Sequence, residues 1–291
     1  MEPIPLIVIV GPTASGKTDL AIRIAKQYNG EVISADSRAI YKGVDIGAAK
    51  PSVDERQNVP HWGFDLVEPG ERFTAADFQQ YANCKIAEIR ARGHVPILAG
   101  GTGLYVDAVI FNYNFPPEPS TSERAKWEGM DIGALHEYCV KNNIDIPENK
   151  HNKRYVVNAI LRNGYALKKS VVPDKNSIVV GIATERHALH DRITQRAEQI
   201  FQGGVVDEAL RLARHYGWES EAMKANVYRV IHEYVKGVVS IEQAKELFIN
   251  RDWQLAKRQM TWFRRGEHVM WLDIGSAYTY IAHALDKLNN L

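Results

Sequence analysis

Residues 11–18 constrain the fold of this chain more than any other segment. They read Gly-Pro-Thr-Ala-Ser-Gly-Lys-Thr and follow an apolar, β-branched run from Leu6 to Val10. This is the spacing of a phosphate-binding loop, in which glycines let backbone amides curl around phosphate oxygens. An amphipathic helix is predicted to follow to about Asn29, with Gly30 as its stop, and its positive end points at the same place. The alternative is a plain glycine-rich turn, but the strand before and the helix after favour phosphate binding.

Further short apolar runs alternate with helical patterns. Residues 31–34, 94–99 and 177–183 are predicted to be strands, and residues 75–92 a helix capped by Thr74. Alternation of this kind is typical of βαβ units and a parallel sheet. We therefore expect an α/β fold with a P-loop NTPase-like parallel sheet flanked by helices.

The pattern changes at the breaker-rich stretch from Phe115 to Ser120. Helical patterns fill residues 121–169, and the strand at 177–183 returns the chain to the sheet. This predicts a small helical domain inserted into the core. The predicted boundaries are 1–115 for the first part of the P-loop core, 116–175 for the helical insertion, and 176–291 for the return strand and C-terminal helices. The last part is mostly helical over 184–265, and residues 268–272 are predicted to form one more strand.

Composition excludes several classes of protein. Hydrophobic residues make up 45% of the 291 residues and charged residues 24%, which excludes global disorder. No apolar run approaches the ~20 residues that cross a bilayer, so we expect no membrane association and a cytoplasmic location. Cys84 and Cys139 are the only cysteines, which excludes a disulfide scaffold or a cysteine-based zinc site. The formal net charge of +1 does not by itself indicate nucleic acid.

Polar or glycine-rich residues follow two of the other predicted strands. Asp36-Ser37-Arg38 ends the second strand and Gly100-Gly101-Thr102-Gly103 the third. In open α/β sheets ligands bind outside the carboxyl ends of the strands, so these tips are predicted to share one crevice with the phosphate loop. Asp36 could accept a proton or hold a metal there, or simply cap a turn. The strand at 94–99 ends in glycines and not in an acid, which argues against a kinase.

Together these motifs resemble those of the tRNA dimethylallyltransferases, also called tRNA isopentenyltransferases, of the bacterial type without a zinc finger. The match runs from about residue 5 to residue 273, and its downstream part is specific because ordinary P-loop enzymes lack it. The matching segments are Gly11 to Thr18, Ser34-Ala35-Asp36-Ser37-Arg38 with Ile40-Tyr41, Asp45-Ile46-Gly47 with Ala49-Lys50-Pro51, Pro60-His61 with Asp65, Ala76-Asp77-Phe78, Gly100 to Tyr105, and Leu255-Ala256-Lys257-Arg258-Gln259 with Thr261-Trp262-Phe263-Arg264.

The resemblance implies transfer of a dimethylallyl group from dimethylallyl diphosphate to the exocyclic N6 amine of the adenosine on the 3′ side of the tRNA anticodon, with release of diphosphate. Asp36 would be the general base, Thr102 would frame the reaction channel, and Arg196 would reach the diphosphate. Arg192 is the neighbouring candidate, and both arginines could instead belong to a solvated helix face. Mg²⁺ would be the cofactor, with Thr18 as its protein ligand. The residues expected to bind the diphosphate are Gly11, Thr13, Ala14, Ser15, Gly16, Lys17, Thr18 and Arg192.

Two stretches are predicted to contact RNA. Residues 150–169 carry six basic residues and no acid, and residues 251–265 carry five basic residues against Asp252. Basic clusters with interleaved aromatics suit a phosphate backbone and unstacked bases, although from the residues alone a solvated helix face is the commoner origin. With the resemblance, the expected tRNA-binding residues are Ser37, Arg38, Lys153, Arg154, Lys257, Arg258, Gln259 and Arg264.

The chain departs from the family pattern at several positions. Ala39 stands where the family usually has Gln, Ala48 where it has Thr, and Val227-Tyr228-Arg229-Val230 where it has Gly-Tyr-Lys-Glu. The helical insertion is shortened between residues 121 and 150. These departures affect one expected contact to the tRNA or its target base and the binding of tRNA by the insertion, whereas the phosphate loop and Asp36 are intact. We therefore expect an active enzyme with no obligate protein partner, acting as a monomer.

Three alternatives remain open at this stage. The chain could transfer the prenyl group to a free adenine nucleotide, although its basic clusters argue against this. It could be a small-molecule P-loop kinase, although no acid ends the strand at 94–99. It could also be a tRNA-binding protein whose catalysis has decayed, as the departures at Ala39, Ala48 and Val230 allow.

Overall fold

The structure is a computed structural model that describes residues 4–162, 165, 169–170, 172–174 and 176–289. Two compact units can be distinguished. One is formed by Met1–Asn112 with Val172–Leu291, and the other by Tyr113–Val171.

The first unit is built on a parallel sheet. In the described ranges the strands, in chain order, are β1 (Leu6–Val10), β2 (Gly30–Ser34), β3 (His61–Trp62), β4 (Val95–Gly100), β5 (Ser177–Ile182) and β6 (Met270–Leu272). Their spatial order is β3-β2-β4-β1-β5-β6, and every neighbouring pair is parallel. β1 lies centrally, with Ile7 opposite Ile97 on one side and Ile178 on the other. The predicted parallel α/β sheet is confirmed.

The helices of the described chain flank this sheet or form the second unit. In chain order they are α1 (Lys17–Tyr28), α2 (Ala75–Ala91), α3 (Gly103–Ile110), α4 (Thr121–Gly129), α5 (Ile132–Lys141), α6 (Lys153–Arg162), α7 (Arg186–Gln202), α8 (Val205–Tyr216), α9 (Asn226–Val235), α10 (Ile241–Phe263) and α11 (Ile274–Asn289). Among the described residues, no helix is long and apolar enough to cross a membrane.

Helix ends follow local chemistry. At α2 the predicted cap is confirmed, because the Thr74 hydroxyl accepts from the Asp77 amide at 3.2 Å and the Asp77 carboxylate accepts from the Thr74 amide at 2.7 Å. The predicted stop of α1 at Gly30 is wrong. Asn29 ends the helix in the left-handed region at φ +51°, which asparagine tolerates, and Gly30 already belongs to β2.

Strand β3 was not predicted. It has only two residues, His61 and Trp62, which pair with Val32 and Ile33 of β2. The Trp62 indole donates to the buried Glu31 carboxylate at 2.7 Å, so a long-range contact fixes this short edge strand. Two residues carry no periodic pattern, and the sequence therefore gives no signal for them.

The first unit has two main apolar clusters. One joins the sheet to α1 and α11, with Ile9, Ile24 and Ile281 almost fully buried. The other joins α8, α9 and α10 to residues 39–48, around the fully buried Tyr228. This second cluster places a helical layer beside the loop that follows β2.

The second unit contains α4, α5 and α6 around a small core of its own. Trp127, Leu135, Cys139 and Val156 are buried in that core. The Trp127 and Tyr138 rings lie 4.5 Å apart. The described part of this unit is helical, as the pattern over 121–169 predicted.

Candidate active site

A cavity of about 390 Å³ opens at the carboxyl ends of β1, β2 and β4. The sheet order makes β4 the neighbour of both other strands, so the three tips singled out in the sequence lie side by side. The predicted crevice is thereby confirmed. Its wall includes Thr13, Lys17, Thr18, Asp36, Ser37, Arg38, Ala48, Lys50, Gly100, Gly101, Thr102, Arg196, Asn226, Asp252, Arg258 and Gln259.

The phosphate loop takes a conformation that needs its glycines. Gly11 and Gly16 have φ values of +153° and +88°, and a Cβ on Gly16 would lie 2.8 Å from Ile274. Gly16 is the N-cap residue of α1 and has no side chain. The backbone amides in the first turn of α1 therefore donate no hydrogen bond to a side chain of the cap residue. Ser15 is buried within the loop, and Ala14 has a φ of +60°. Gly11, Ala14, Ser15 and Gly16 therefore shape the loop, while Thr13, Lys17 and Thr18 face the cavity.

Lys17 is the cation at the base of the cavity. Its ammonium donates to the Pro12 carbonyl at 2.5 Å and contacts the Ser15 hydroxyl at 3.5 Å. Burial, and after it the positive charge of Arg196, lowers the pKa of Lys17 to about 7, against an opposing effect of Asp36. An anion placed in the loop would favour the protonated form of this lysine.

Asp36 lies at the tip of β2, half-buried in the cavity wall. Its Oδ1 accepts hydrogen bonds from the amides of Arg38 at 2.7 Å and Ala39 at 3.4 Å. The Asp36 side chain thus caps the turn that follows β2, as aspartate often does. Among the described residues, none donates a hydrogen bond to its Oδ2.

Thr102 connects the tips of β2 and β4. Its amide donates to the Ala35 carbonyl at 3.1 Å, and its hydroxyl accepts from the Ser37 amide at 3.0 Å. The two residues that Thr102 contacts, Ala35 and Ser37, lie directly before and after Asp36 in the chain. Thr102 also caps α3 and lines the cavity, so its position is compatible with the predicted role in framing a channel.

The two arginines of α7 occupy different places. Arg196 lines the cavity, and one of its terminal nitrogens donates to the Ala48 carbonyl at 3.3 Å. The Arg196 Nε is buried and has no hydrogen-bond partner among the described residues. Arg192 instead contacts the outer side of the phosphate loop, where it donates to the Ser15 carbonyl at 3.4 Å.

The predicted tRNA-binding residues are distributed over both units. Ser37, Arg38, Arg258 and Gln259 line the cavity. Lys257 is exposed, with its ammonium 5.5 Å from the Trp253 ring, and Arg264 lies 5.8 Å from the Trp271 ring. Lys153 and Arg154 begin α6 of the second unit. Lys168, part of the predicted basic run, lies outside the described residues.

The departures from the family pattern also have defined places. Ala39 and Ala48 line the cavity with small apolar side chains. Val230 is fully buried in the cluster around Tyr228. The first two departures therefore alter the cavity wall, and the third alters the packing behind it.

Glu208 supports the cavity wall from behind, and no motif in the sequence pointed to it. It is 4% exposed and accepts hydrogen bonds from the amides of Asp45, Ile46 and Gly47 at 2.8–2.9 Å. The Tyr228 hydroxyl donates to the same carboxylate at 2.6 Å, and burial together with this carboxylate raises the pKa of Tyr228 far above its usual range. Glu208 thus orders a loop whose following residues line the cavity.

Lys50 holds the other end of this loop. Its ammonium donates to the Tyr41 carbonyl at 2.8 Å and pairs with Asp45 at 3.0 Å and Asp65 at 2.7 Å. Its side chain is only 3% exposed. The structure therefore brings together Lys50, Asp45 and Asp65, which the family pattern related only as separate positions along the sequence.

A second carboxylate in the cavity was missed as well. Asp252 on α10 is 7% exposed, and its carboxylate accepts a hydrogen bond from the Asn226 side-chain amide at 2.9 Å. Burial raises its pKa, although Asn226 and Arg196 oppose the shift. Glu208 and Asp252 share a signal, because each interrupts the buried stripe of an amphipathic helix: Val205 and Leu212 flank the first, Phe248 and Ala256 the second.

The sheet order and the glycine-rich loop define an α/β protein with a cavity at the carboxyl edge of its parallel sheet. A family model described as IPP transferase matches residues 39–266, and one described as Isopentenyl transferase matches residues 4–65. The chain is 37% identical over 289 residues to a tRNA dimethylallyltransferase of Bacillus pumilus, covering 93% of this chain and 90% of the relative. A tRNA dimethylallyltransferase of Bacillus subtilis is 35% identical, with 93% and 91% covered. This chain belongs to the IPP transferase family.

Solved structures agree with this assignment. The full-length tRNA isopentenylpyrophosphate transferase of Bacillus halodurans matches with a TM-score of 0.75 at 35% identity, covering 98% of both chains. A eukaryotic dimethylallyltransferase acting on tRNA matches with a TM-score of 0.76 over 92% of this chain and 73% of its own. At 21% identity, the second comparison concerns the fold alone.

Proposed function

We propose that this chain transfers a dimethylallyl group from dimethylallyl diphosphate to the N6 amine of the adenosine that lies 3′ of the anticodon in tRNA. The observation that carries the proposal is that Asp36 and Lys17 line one cavity, so that a carboxylate and the lysine of the glycine-rich loop share it. Prenyl transfer to an amine needs both groups: an acceptor for one proton and a site for a leaving diphosphate.

The reaction forms one bond and breaks one. The N6 nitrogen attacks C1 of the dimethylallyl group, and the bond between C1 and the diphosphate oxygen breaks with its electron pair on the diphosphate. Asp36 accepts the proton that the attacking amine loses. Its Oδ1 accepts from the Arg38 amide, which fixes the carboxylate, and Oδ2 is the oxygen assigned to the proton. Holding amine and donor in one cavity supplies the orientation that the bimolecular step needs.

Negative charge grows on the departing diphosphate. Lys17 and Arg196 are cations in the cavity wall, and the free amides at the start of α1 add their dipoles. Diphosphate binding would raise the pKa of Lys17 from about 7 and so complete its charge. These groups stabilise the leaving group without a covalent intermediate.

The donor set of the cavity fits Mg²⁺. Thr18 lines the cavity, and its hydroxyl is a hard oxygen ligand of the kind that Mg²⁺ prefers. We assign this hydroxyl as the protein ligand of the ion, with diphosphate oxygens and water supplying the other ligands. When bound, the ion would neutralise charge on the diphosphate.

The RNA substrate would reach the cavity past basic side chains. Arg38 and Arg258 line the cavity, and the exposed Lys257 lies on the same helix as Arg258. We assign the anticodon stem-loop as the bound part of tRNA, with the target adenosine turned out of its stack into the cavity. Lys153 and Arg154 of the second unit are assigned to the same RNA.

The test is mass spectrometry of nucleosides from an unmodified tRNA transcript incubated with the protein, dimethylallyl diphosphate and Mg²⁺. The transcript carries adenosines on the 3′ side of its anticodon. Prenylated adenosine at that position is the expected product, and a transcript with guanosine there is the matched control. Tight tRNA binding without product would contradict the proposal and favour a protein whose catalysis has decayed.

Parallel reactions separate the remaining alternatives. Free adenosine monophosphate replaces the transcript in one, and the expected result is no prenylated nucleotide. ATP replaces the prenyl donor in another, with consumption of ATP as the readout. Product from either reaction, with none from tRNA, would overturn the assigned acceptor or the assigned donor.

A further inference from the structure

We propose that Gln259 is a positioning residue that fixes the phosphate loop relative to the proposed base, and does not act as an RNA contact. The inference deepens the proposed function and rests on it for the reaction concerned. It assigns Gln259 a task different from the one that the family resemblance implied.

The Gln259 side chain joins two loops. Its carbonyl oxygen accepts from the Thr13 amide at 2.8 Å, and its amide nitrogen donates to the Gly101 carbonyl at 3.1 Å. The partners fix the orientation of the side-chain amide, because the Thr13 backbone N–H can only donate and the Gly101 carbonyl can only accept. One side chain thus bridges the loop after β1 and the loop after β4.

The second loop continues this connection to the base. Directly after Gly101, Thr102 donates to the Ala35 carbonyl at 3.1 Å and accepts from the Ser37 amide at 3.0 Å. These contacts hold the residues on either side of Asp36. A path of hydrogen bonds and one peptide link, between Gly101 and Thr102, therefore runs from the phosphate loop through Gln259 to the tip of β2.

Helix α10 is held in place by contacts with α3, so Gln259 projects from a fixed element. One helical turn further on, the Trp262 indole donates to the Asp107 carboxylate of α3 at 2.9 Å. Trp262 also packs closely on Gly103, where an added Cβ would meet the ring at 2.2 Å. At Gly101 an added Cβ would lie 2.3 Å from the Gln259 amide nitrogen. Both glycines thus permit the close approach of α10 to the loop after β4.

This arrangement predicts effects on catalysis and diphosphate binding but not on RNA affinity. The oxygen and the nitrogen of the Gln259 amide each already have a backbone partner, so RNA would have to compete for them. Loss of the bridge would let the phosphate loop and the tip of β2 move relative to each other. A displacement of about 1 Å between reacting groups can reduce the rate about 100-fold.

Gln259→Met tests the assignment because methionine has a similar length and shape but forms neither bond. The matched control is Gln254→Met, a change of the same kind at an exposed position of the same helix. We expect Gln259→Met to lower kcat at least about tenfold and to weaken binding of inorganic diphosphate severalfold. Its Kd for tRNA should stay within about twofold of the wild-type value, and Gln254→Met should change none of the three.

A second variant keeps the test decisive if the first unfolds. Gln259→Glu retains an acceptor for Thr13 but cannot donate to Gly101, so it should also lower kcat. Thermal unfolding of both variants is measured alongside the kinetics. A general loss of folding would lower their unfolding midpoints without a selective change in kcat.

Two results would overturn the proposal. One is a weakened Kd for tRNA with kcat and diphosphate affinity unchanged, which would make Gln259 an RNA contact. The other is no change in any measurement. If the wild-type protein binds diphosphate but forms no prenylated product, the proposed function fails. In that case, the diphosphate affinities of the variants still decide whether Gln259 positions the phosphate loop.

Discussion

Two walls of the same cavity are built in different ways. The phosphate loop, residues 11–18, depends on its own glycines for its backbone conformation, is held from outside by Gln259 at the Thr13 amide, and leaves backbone amides uncapped at the start of α1. Residues 45–50 take theirs from a side chain that lies more than 160 positions away, because Glu208 accepts three consecutive amides of that segment. The first wall keeps donors available for a ligand, whereas the second has its donors satisfied by the protein.

The difference has an energetic consequence. Unpaired amides and a buried lysine cost stability until a ligand arrives, so the phosphate loop is less stable than a loop with its donors paired. A buried carboxylate with four hydrogen bonds is costly to disturb, because its removal leaves the donors without partners. Substitutions in the first wall should therefore reduce activity with little effect on folding, and those in the second should reduce stability.

Asp36 belongs to neither wall but lines the same cavity, and its substitution should give the largest effect. An asparagine side chain would keep an oxygen for the turn but could not accept the proton, so Asp36→Asn should lower kcat about 1000-fold. Unfolding and tRNA affinity should stay near wild-type values, as measured by denaturant titration and gel shift. Asp54→Asn, at an exposed position, is the control. Near wild-type turnover in Asp36→Asn would remove Asp36 from the role of base.

Lys17→Met tests the phosphate-loop wall. Loss of the cation should lower kcat/KM for dimethylallyl diphosphate about 100-fold, because charge developing on the leaving group loses a partner. The free energy of unfolding should not fall, since the folded state disfavours the protonated lysine. A large loss of stability in this variant would contradict the contrast between the two walls.

Glu208→Gln tests the other wall. The amide group would place a donor against backbone donors that Glu208 now satisfies, and we expect a loss of about 2–3 kcal/mol in the free energy of unfolding. Urea denaturation provides the measurement, and Asp207→Asn is the control because Asp207 is exposed on the same helix. Reduced activity with unchanged stability would show that Glu208 acts in the chemistry.

The pH dependence should give the smallest effect and an opposite sign for binding and stability. With the pKa of Lys17 near 7, affinity for diphosphate should fall by up to about tenfold for each pH unit above 7, as calorimetry can measure.

Between about pH 7 and pH 10.5 the unfolded chain holds a proton on Lys17 that the folded chain has lost, so the free energy of unfolding rises with pH and the folded state becomes more stable. Binding of diphosphate weakens over the same range, which gives the opposite signs. Lys17→Met should show neither trend, and a flat profile in the wild-type protein would contradict the assigned pKa.

Much of the site could be predicted because it is encoded locally. The spacing of Gly11, Gly16, Lys17 and Thr18 specifies a loop conformation within eight residues, and an apolar run such as β1 specifies a buried strand. Helix α2 was predicted with its cap for the same reason, since Thr74 and Asp77 are three residues apart. The stop of α1 was misplaced by one residue because asparagine and glycine both tolerate the left-handed region.

Local sequence patterns were enough to predict the parallel α/β class, the glycine-rich loop and the candidate base at the tip of the second predicted strand. The packing of the folded chain established which distant residues meet: Glu208 with residues 45–47, Lys50 with Asp65, and Gln259 with Thr13 and Gly101. Local patterns act through backbone conformation over a few residues, and they recur wherever the same spacing occurs. Long-range partners depend on how whole helices pack, and a single sequence does not record that choice.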